Sequence, residues 1–182
     1  MDSHPSSEPG SDPSVDADDS SELAILREIV RGTRDRPGLA TVLPLLQGRH
    51  HRVLRREEHW TSRDLVRHPE PRELVRSMRK LGNRDAQGRM IRTFETRRSV
   101  TEDVVENRFV RHVAAHVRQR LLALPDGAEV RALVRELDAA VHLAAFLLDA
   151  GPLERPVSEP TIVLAEDPLY RTVFEIWRQN FG

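Results

Sequence analysis

From Thr101 to Leu148 apolar residues return every three or four positions, in two stretches parted by Pro125, and this pattern narrows the possible folds more than any other feature of the chain. Val105, Phe109, Val110, Val113, Val117, Leu121 and Leu124 form the first stripe, the signature of a helix with one buried face. Asp126 followed by Glu129 three residues on is a capping-box signal, and it opens a second stripe of Val130, Leu133, Val134, Leu137, Val141, Ala144, Ala145 and Leu148 that stops at Gly151-Pro152. So short a turn between two amphipathic helices predicts a long antiparallel helical hairpin over residues 101–150. The expected fold class is mainly all-α: an irregular helical domain built on that hairpin, with one short strand or extended connector beside it.

The rest of the chain is less regular. Residues 1–19 are Ser, Pro, Asp and Gly with almost nothing to bury, so ordering them costs backbone entropy that no core offsets, and a disordered acidic tail is expected. A helix is expected after Asp19, through Leu23, Leu26, Ile29 and Val30 to Gly32, with Pro37-Gly38 turning the chain. In residues 39–68, Pro44 interrupts an apolar run and GRHHRVLRREEHW is polar with weak periodicity, which reads as short helices. Pro69 and Pro71 precede a helix carrying Leu74, Val75, Met78 and Leu81 that stops at Gly82. RMIRTFETRRSV mixes Thr, Ile, Phe and Val with charges, as an edge strand or connector does. Asp167 and Pro168 announce a last helix over 167–181 carrying Leu169, Tyr170, Val173, Phe174 and Trp177. The expected organisation is a tail followed by one helical domain over 20–182.

Charge is segregated. The net charge of −1 conceals seven acidic and no Lys or Arg residues in 1–22, 15 basic against 7 acidic in 49–98, and 9 against 13 in 99–182. Clustered on one surface, Arg52, Arg55, Arg56, Arg76, Arg79, Lys80, Arg97 and Arg98 would contact phosphates and release counterions. Only Trp60 and Phe94 interleave with this block, which is thin for base stacking; the alternative is a solvated face paired with the acidic tail or the acidic C-terminal half. No run of about 18 apolar residues is present and the N-terminus is acidic, so a cytoplasmic protein without a membrane partner is expected.

Several chemistries are excluded or weak. The chain has no cysteine, which removes disulfides, thiolate metal sites and thiol nucleophiles. His112 and His116 stand four apart on a helix, but Val113 occupies the position where a zinc protease carries its Glu, and a solvated helix edge is the expected role. His50, His51, His59 and His68 lack ligand spacing. Glu57-Glu58 and Glu166-Asp167 are chain neighbours that point apart, and no phosphate loop or nucleophile elbow appears. Lys80 is the only lysine among 28 Lys and Arg residues, and Met78 stands where the acid of a nuclease ExK would be. No catalytic residue, metal or cofactor is expected.

VENRFVRHV, opening the first long helix, resembles a signature of McrC-like restriction proteins, in the helical domain that precedes their PD-(D/E)xK nuclease. FETRRSV, GPLERPV and EPTIVLAEDPLYRTVFEIW extend the resemblance over about residues 70–182. Tyr170, Arg171 and Trp177 fall where such proteins carry a similar pattern. The chain ends at Gly182, about where the nuclease would begin, so nuclease activity is not carried over. The resemblance implies a non-catalytic adaptor or DNA-contacting component of a prokaryotic restriction or defence system, with an AAA+ motor or nuclease subunit as partner and DNA as a further one. The alternative is a stand-alone, sequence-tolerant nucleic-acid-binding protein. Within ENRF, Phe109 is expected in the core, Glu106 in the first helical turn where a carboxylate suits the dipole, Arg108 in solvent, and Asn107 on the backbone of the extended segment before the helix.

Overall fold

A computed structural model describes residues 13–66 and 70–182; residues 1–12, most of the expected tail, lie outside the described residues, as do 67–69. In chain order the elements are α1 (Pro13–Arg31), α2 (Leu39–Gln47), β1 (Val53–Ser62), α3 (Pro71–Arg79), β2 (Arg92–Thr101), α4 (Val105–Ala123), α5 (Ala128–Leu143), α6 (Phe146–Asp149), α7 (Ile162–Glu166) and α8 (Pro168–Asn180), with a 3₁₀ turn at Arg63–Leu65. The chain divides into two compact units, one formed by Met1–His51 with Asp103–Gly182 and the other by Arg52–Glu102. The first is called here the helical unit and the second the ribbon unit.

The helical unit is built around α4. Phe109, Val110, Val113, Val117 and Leu121 are buried along one side of it, and α1, α5, α6 and α8 all pack on it. Leu26, Ile29 and Val30 of α1, Leu39, Val42, Leu43 and Leu46 of α2, and Leu133 and Leu137 of α5 close the same core. Helix α1 begins at Pro13, six residues before the expected end of the tail, and ends at Arg31. Gly32 follows with φ +91°, and its N–H donates to Glu28 O at 2.8 Å; only glycine takes this left-handed C′ position without strain. Arg27 and Arg31 reach across to Glu129 and Glu136 of α5 in bidentate pairs.

The expected fold class is corrected here. Helices share the chain with a two-stranded antiparallel sheet, so the fold is mixed α and β, and a long helical hairpin does not organise it. Helix α5 stops at Leu143, because Ala144 leaves the helical region at φ −96°, ψ 64°, and Phe146–Asp149 forms a separate turn whose Phe146 and Leu147 enter the core. The apolar stripe that runs on to Leu148 is therefore two elements; Leu148 itself is exposed. Helix α5 also lies against α2.

In the ribbon unit β1 and β2 pair antiparallel from Val53↔Thr101 to Ser62↔Arg92. The stretch VLRREEHWTS, expected as a short helix, is a strand because its partner supplies what local pattern lacks: Trp60 faces Phe94 and Glu57 faces Arg97 across the ladder, aromatic and opposite-charge pairs that stabilise sheets. Helix α3 packs beside β2 and supplies acceptors to its outer edge. Arg92 N–H donates to Asn83 Oδ1 at 2.9 Å, Phe94 N–H to Ser77 Oγ at 2.7 Å and Thr96 N–H to Glu73 Oε1 at 2.6 Å. A strand edge needs partners for such groups, and here side chains of α3 and the loop after it provide them.

Candidate functional site

The ENRF residues meet at the two points where the chain leaves and re-enters the helical unit. Asn107, fully buried in the first turn of α4, donates from Nδ2 to His51 O at 2.9 Å. Its Oδ1 accepts from the Tyr170 hydroxyl of α8, and that hydroxyl accepts from His51 N–H at 2.8 Å. Both backbone groups of His51 are thus held by side chains. Glu106, also buried, lies 3.2 Å from His51 Nδ1 and accepts from Thr161 Oγ1 at 2.8 Å; Thr161 in turn caps α7 through Leu164 N–H. Arg108 is half-buried rather than solvated. It grips Asp103 through two bonds of 2.7 Å, and Asp103 accepts from Gly151 N–H at 2.7 Å.

Three consecutive polar residues of the motif therefore fix His51, the last residue before the ribbon unit, and Asp103, the first after it. Asn107 holds His51, 56 positions away. Phe109 is buried against Phe174 and Trp177 at 5.8 and 6.1 Å between ring centroids. Arg171 donates to Ala165 O and Glu166 O at 2.6 and 3.2 Å, closing the C-terminus of α7. Sequence reasoning missed His51, Asp103 and Thr161, whose roles depend on long-range partners and leave no local signal.

Electrostatics reinforce this arrangement. Burial pushes the Tyr170 hydroxyl up to about 12, with the His51 N–H opposing and the Glu106 and Asp167 carboxylates adding to the rise; it stays protonated at neutral pH and able to donate to Asn107. Arg108 is raised by its hydrogen bonds to Asp103 against the cost of burial, with both Asp103 and Glu154 adding charge stabilisation. In the ribbon unit, burial pushes Glu73 up, but the N–H donors of Thr96 and Glu70 outweigh it and hold the carboxyl below its ordinary value.

The basic residues of the ribbon unit are not equivalent. Arg52, Arg55, Arg76 and Arg97 face Glu102, Glu57, Glu58 and Glu95. The Arg76 guanidinium also lies 3.7 Å from the Phe94 ring centre, and the Lys80 ammonium 4.1 Å from that of Trp60. Arg56 and Arg98 stand directly opposite each other on β1 and β2, and among the described residues neither has a carboxylate partner. Arg79 is likewise exposed and unpaired among them.

His112 and His116 stack at 6.3 Å and both meet the Trp177 ring edge to face. Burial, Arg120 and His112 lower the His116 pKa. Among the described residues no three of His, Cys, Asp or Glu are grouped to hold a metal ion. An apolar hollow of about 430 Å³ at the α4–α5 turn, lined by Leu121, Leu124, Val130 and Val134, has the Asp126–Arg131 ion pair and Arg135 at its polar side.

A family model described as a domain of unknown function (DUF2357) matches residues 10–177, both units included. The chain belongs to this family. No curated protein and no solved structure matches the DUF2357 chain. No helix among its described residues is long and apolar enough to cross a membrane.

Proposed function

We propose that this DUF2357 chain is a non-catalytic adaptor of a prokaryotic restriction or defence system, akin to the domain upstream of the nuclease in McrC-like proteins, and that it works in the cytoplasm by contacting an AAA+ motor or nuclease subunit. The observation that carries the reading is the use of Glu106, Asn107, Arg108 and Tyr170. Each spends its polar groups on other groups of the helical unit, which makes the motif a brace for His51 and Asp103 and leaves the ribbon unit as the part offered to a partner. Co-purification of the full chain from its native host tests this. A stoichiometric protein partner is expected; recovery of the chain alone at low salt overturns it.

A second reading, a sequence-tolerant nucleic-acid binder, is favoured by the Arg56–Arg98 pair. Two guanidinium groups directly opposite on a ribbon repel each other, and a phosphate between them would reverse that cost. Affinity for DNA that falls steeply with salt, with a log–log slope shallower by about 0.9 for each phosphate contact removed by Arg56→Gln or Arg98→Gln, is the expected result. Salt-insensitive or absent binding overturns it.

A further inference from the structure

Helix α3 turns its polar side to its own unit and its apolar side outward. Glu73 and Ser77 are its buried residues, held inward because the N–H groups of Thr96 and Phe94 need acceptors. Positions three or four apart share a helix face, so Val75 and Met78 lie on the outward side, with half-buried Leu74 at its flank and Leu81 exposed just past the helix end. Val75 is 47% exposed, Met78 52% and Leu81 96%. Isolated exposed apolar residues are ordinary, but a contiguous stripe on a helix whose polar residues are buried marks a contact surface. Leu81 also lines a hollow of about 350 Å³ with Trp60, Lys80, Asn83, Ile91 and Arg92, room for an anchoring side chain at the end of the stripe.

The charges beside the stripe select its occupant. Arg72 and Arg79 lie one turn to either side of Val75 on the helix surface, both exposed and without an acidic partner among the described residues. Lys80 and Arg92 stand at the hollow. The one carboxylate inside α3, Glu73, is spent inward on Thr96 and Glu70. An apolar stripe flanked by Arg72 and Arg79, with the nearby carboxylate of Glu70 engaged in capping the helix, fits a helix with apolar residues at i, i+3, i+4 and i+7 and carboxylates on its flanks.

We propose that Leu74, Val75, Met78 and Leu81, with Arg72 and Arg79 beside them, form the docking surface for an acidic amphipathic helix of a partner protein; this rests on the adaptor reading above. The test places a photoreactive benzoylphenylalanine at Met78 in the full chain, expressed in the native host. The exposed site tolerates the substitution, which circular dichroism checks. The expected result is a cross-link to one protein, mapped to a segment with Asp or Glu flanking apolar residues at helical spacing. Val75→Glu with Leu81→Glu lowers the yield about tenfold or more, as loss of anchor residues does, and Arg72→Glu with Arg79→Glu does the same, while added salt weakens the unaltered chain's binding. A cross-link to a second copy of the chain, to nucleic acid, to lipid or to a non-acidic segment overturns the proposal, as does no cross-link. If a partner still co-purifies in full with the Val75→Glu, Leu81→Glu chain, the adaptor reading stands and this surface is wrong; if the unaltered chain brings no partner, both fall.

Discussion

Asn107 and Tyr170 form a closed set of bonds with the backbone of His51, and such a set is worth more intact than its parts are worth singly. Removing Asn107 as Asn107→Leu leaves the Tyr170 hydroxyl without its acceptor and His51 O without its donor, and each orphaned group costs about 1–3 kcal/mol. Chemical denaturation should show that loss, whereas Arg171→Ala, which frees only exposed carbonyls at the end of α7, should stay near 0.5 kcal/mol. An equal small effect for both would mean that the network does not hold the stem. Tyr170 is the only tyrosine of the chain, so its ionisation can be followed directly by ultraviolet absorbance. Its hydroxyl titrates near 12 in the folded protein against about 10 unfolded. Because the folded value is the higher, the stabilisation is fully present below pH 10 and is lost as pH rises from there through about 12. Tyr170→Phe should flatten stability over that window; ionisation near 10 in the native protein would contradict the burial of this group.

At the level of elements, α3 carries the sharpest consequence. If its polar face supports β2, Ser77→Ala must cost more than any change to its apolar face, since it deprives the buried Phe94 N–H of its acceptor. We expect about 1–3 kcal/mol of lost local stability, read as faster hydrogen exchange at Phe94 and Thr96, and within about 0.5 kcal/mol for Leu81→Ser. The reverse order would mean that the helix packs through its leucines. The sequence showed this helix through its proline start and its 74, 75, 78, 81 spacing, yet nothing local says that the apolar side faces outward, because the inward side is chosen by backbone donors on a strand some twenty residues later. The same holds for β1: Trp60 and Glu57 become strand residues through Phe94 and Arg97, more than thirty positions away. What was legible was local. The stripe of α4, the Asp167-Pro168 start of α8 and the Gly32 end of α1 all rest on contacts or caps within a few residues, and all three appear where expected. The second arm of the hairpin was overextended because Phe146 and Leu147 continue the apolar spacing of α5 after its backbone has already broken at Ala144.

Across the whole molecule, the ribbon unit is an insertion between two fixed points of the helical unit, and its ends are close: Val53 and Thr101 are opposite one another in the ladder, about 5 Å apart between Cα atoms. A short Gly-Ser linker in place of residues 53–101 can span that gap, and closing so small a loop costs little. The buried cluster of the helical unit draws on α1, α2, α4, α5, α6, α7 and α8 and on no residue of the ribbon unit, while the bonds that set His51 and Asp103 come from Asn107, Tyr170, Arg108 and Gly151. The shortened chain should therefore unfold cooperatively in calorimetry, with a midpoint within about 5 °C of the full chain, a shift of about 1 kcal/mol. It should remain sensitive to Asn107→Leu, because that network is complete without the ribbon. The same chain lacks Arg56, Arg98 and all of α3, so partner and nucleic-acid binding should vanish together while the fold survives. A shortened chain that melts without cooperativity would show that the helical unit does not stand alone; one that folds and still retains its partner would move the interaction surface off the ribbon and onto the helices.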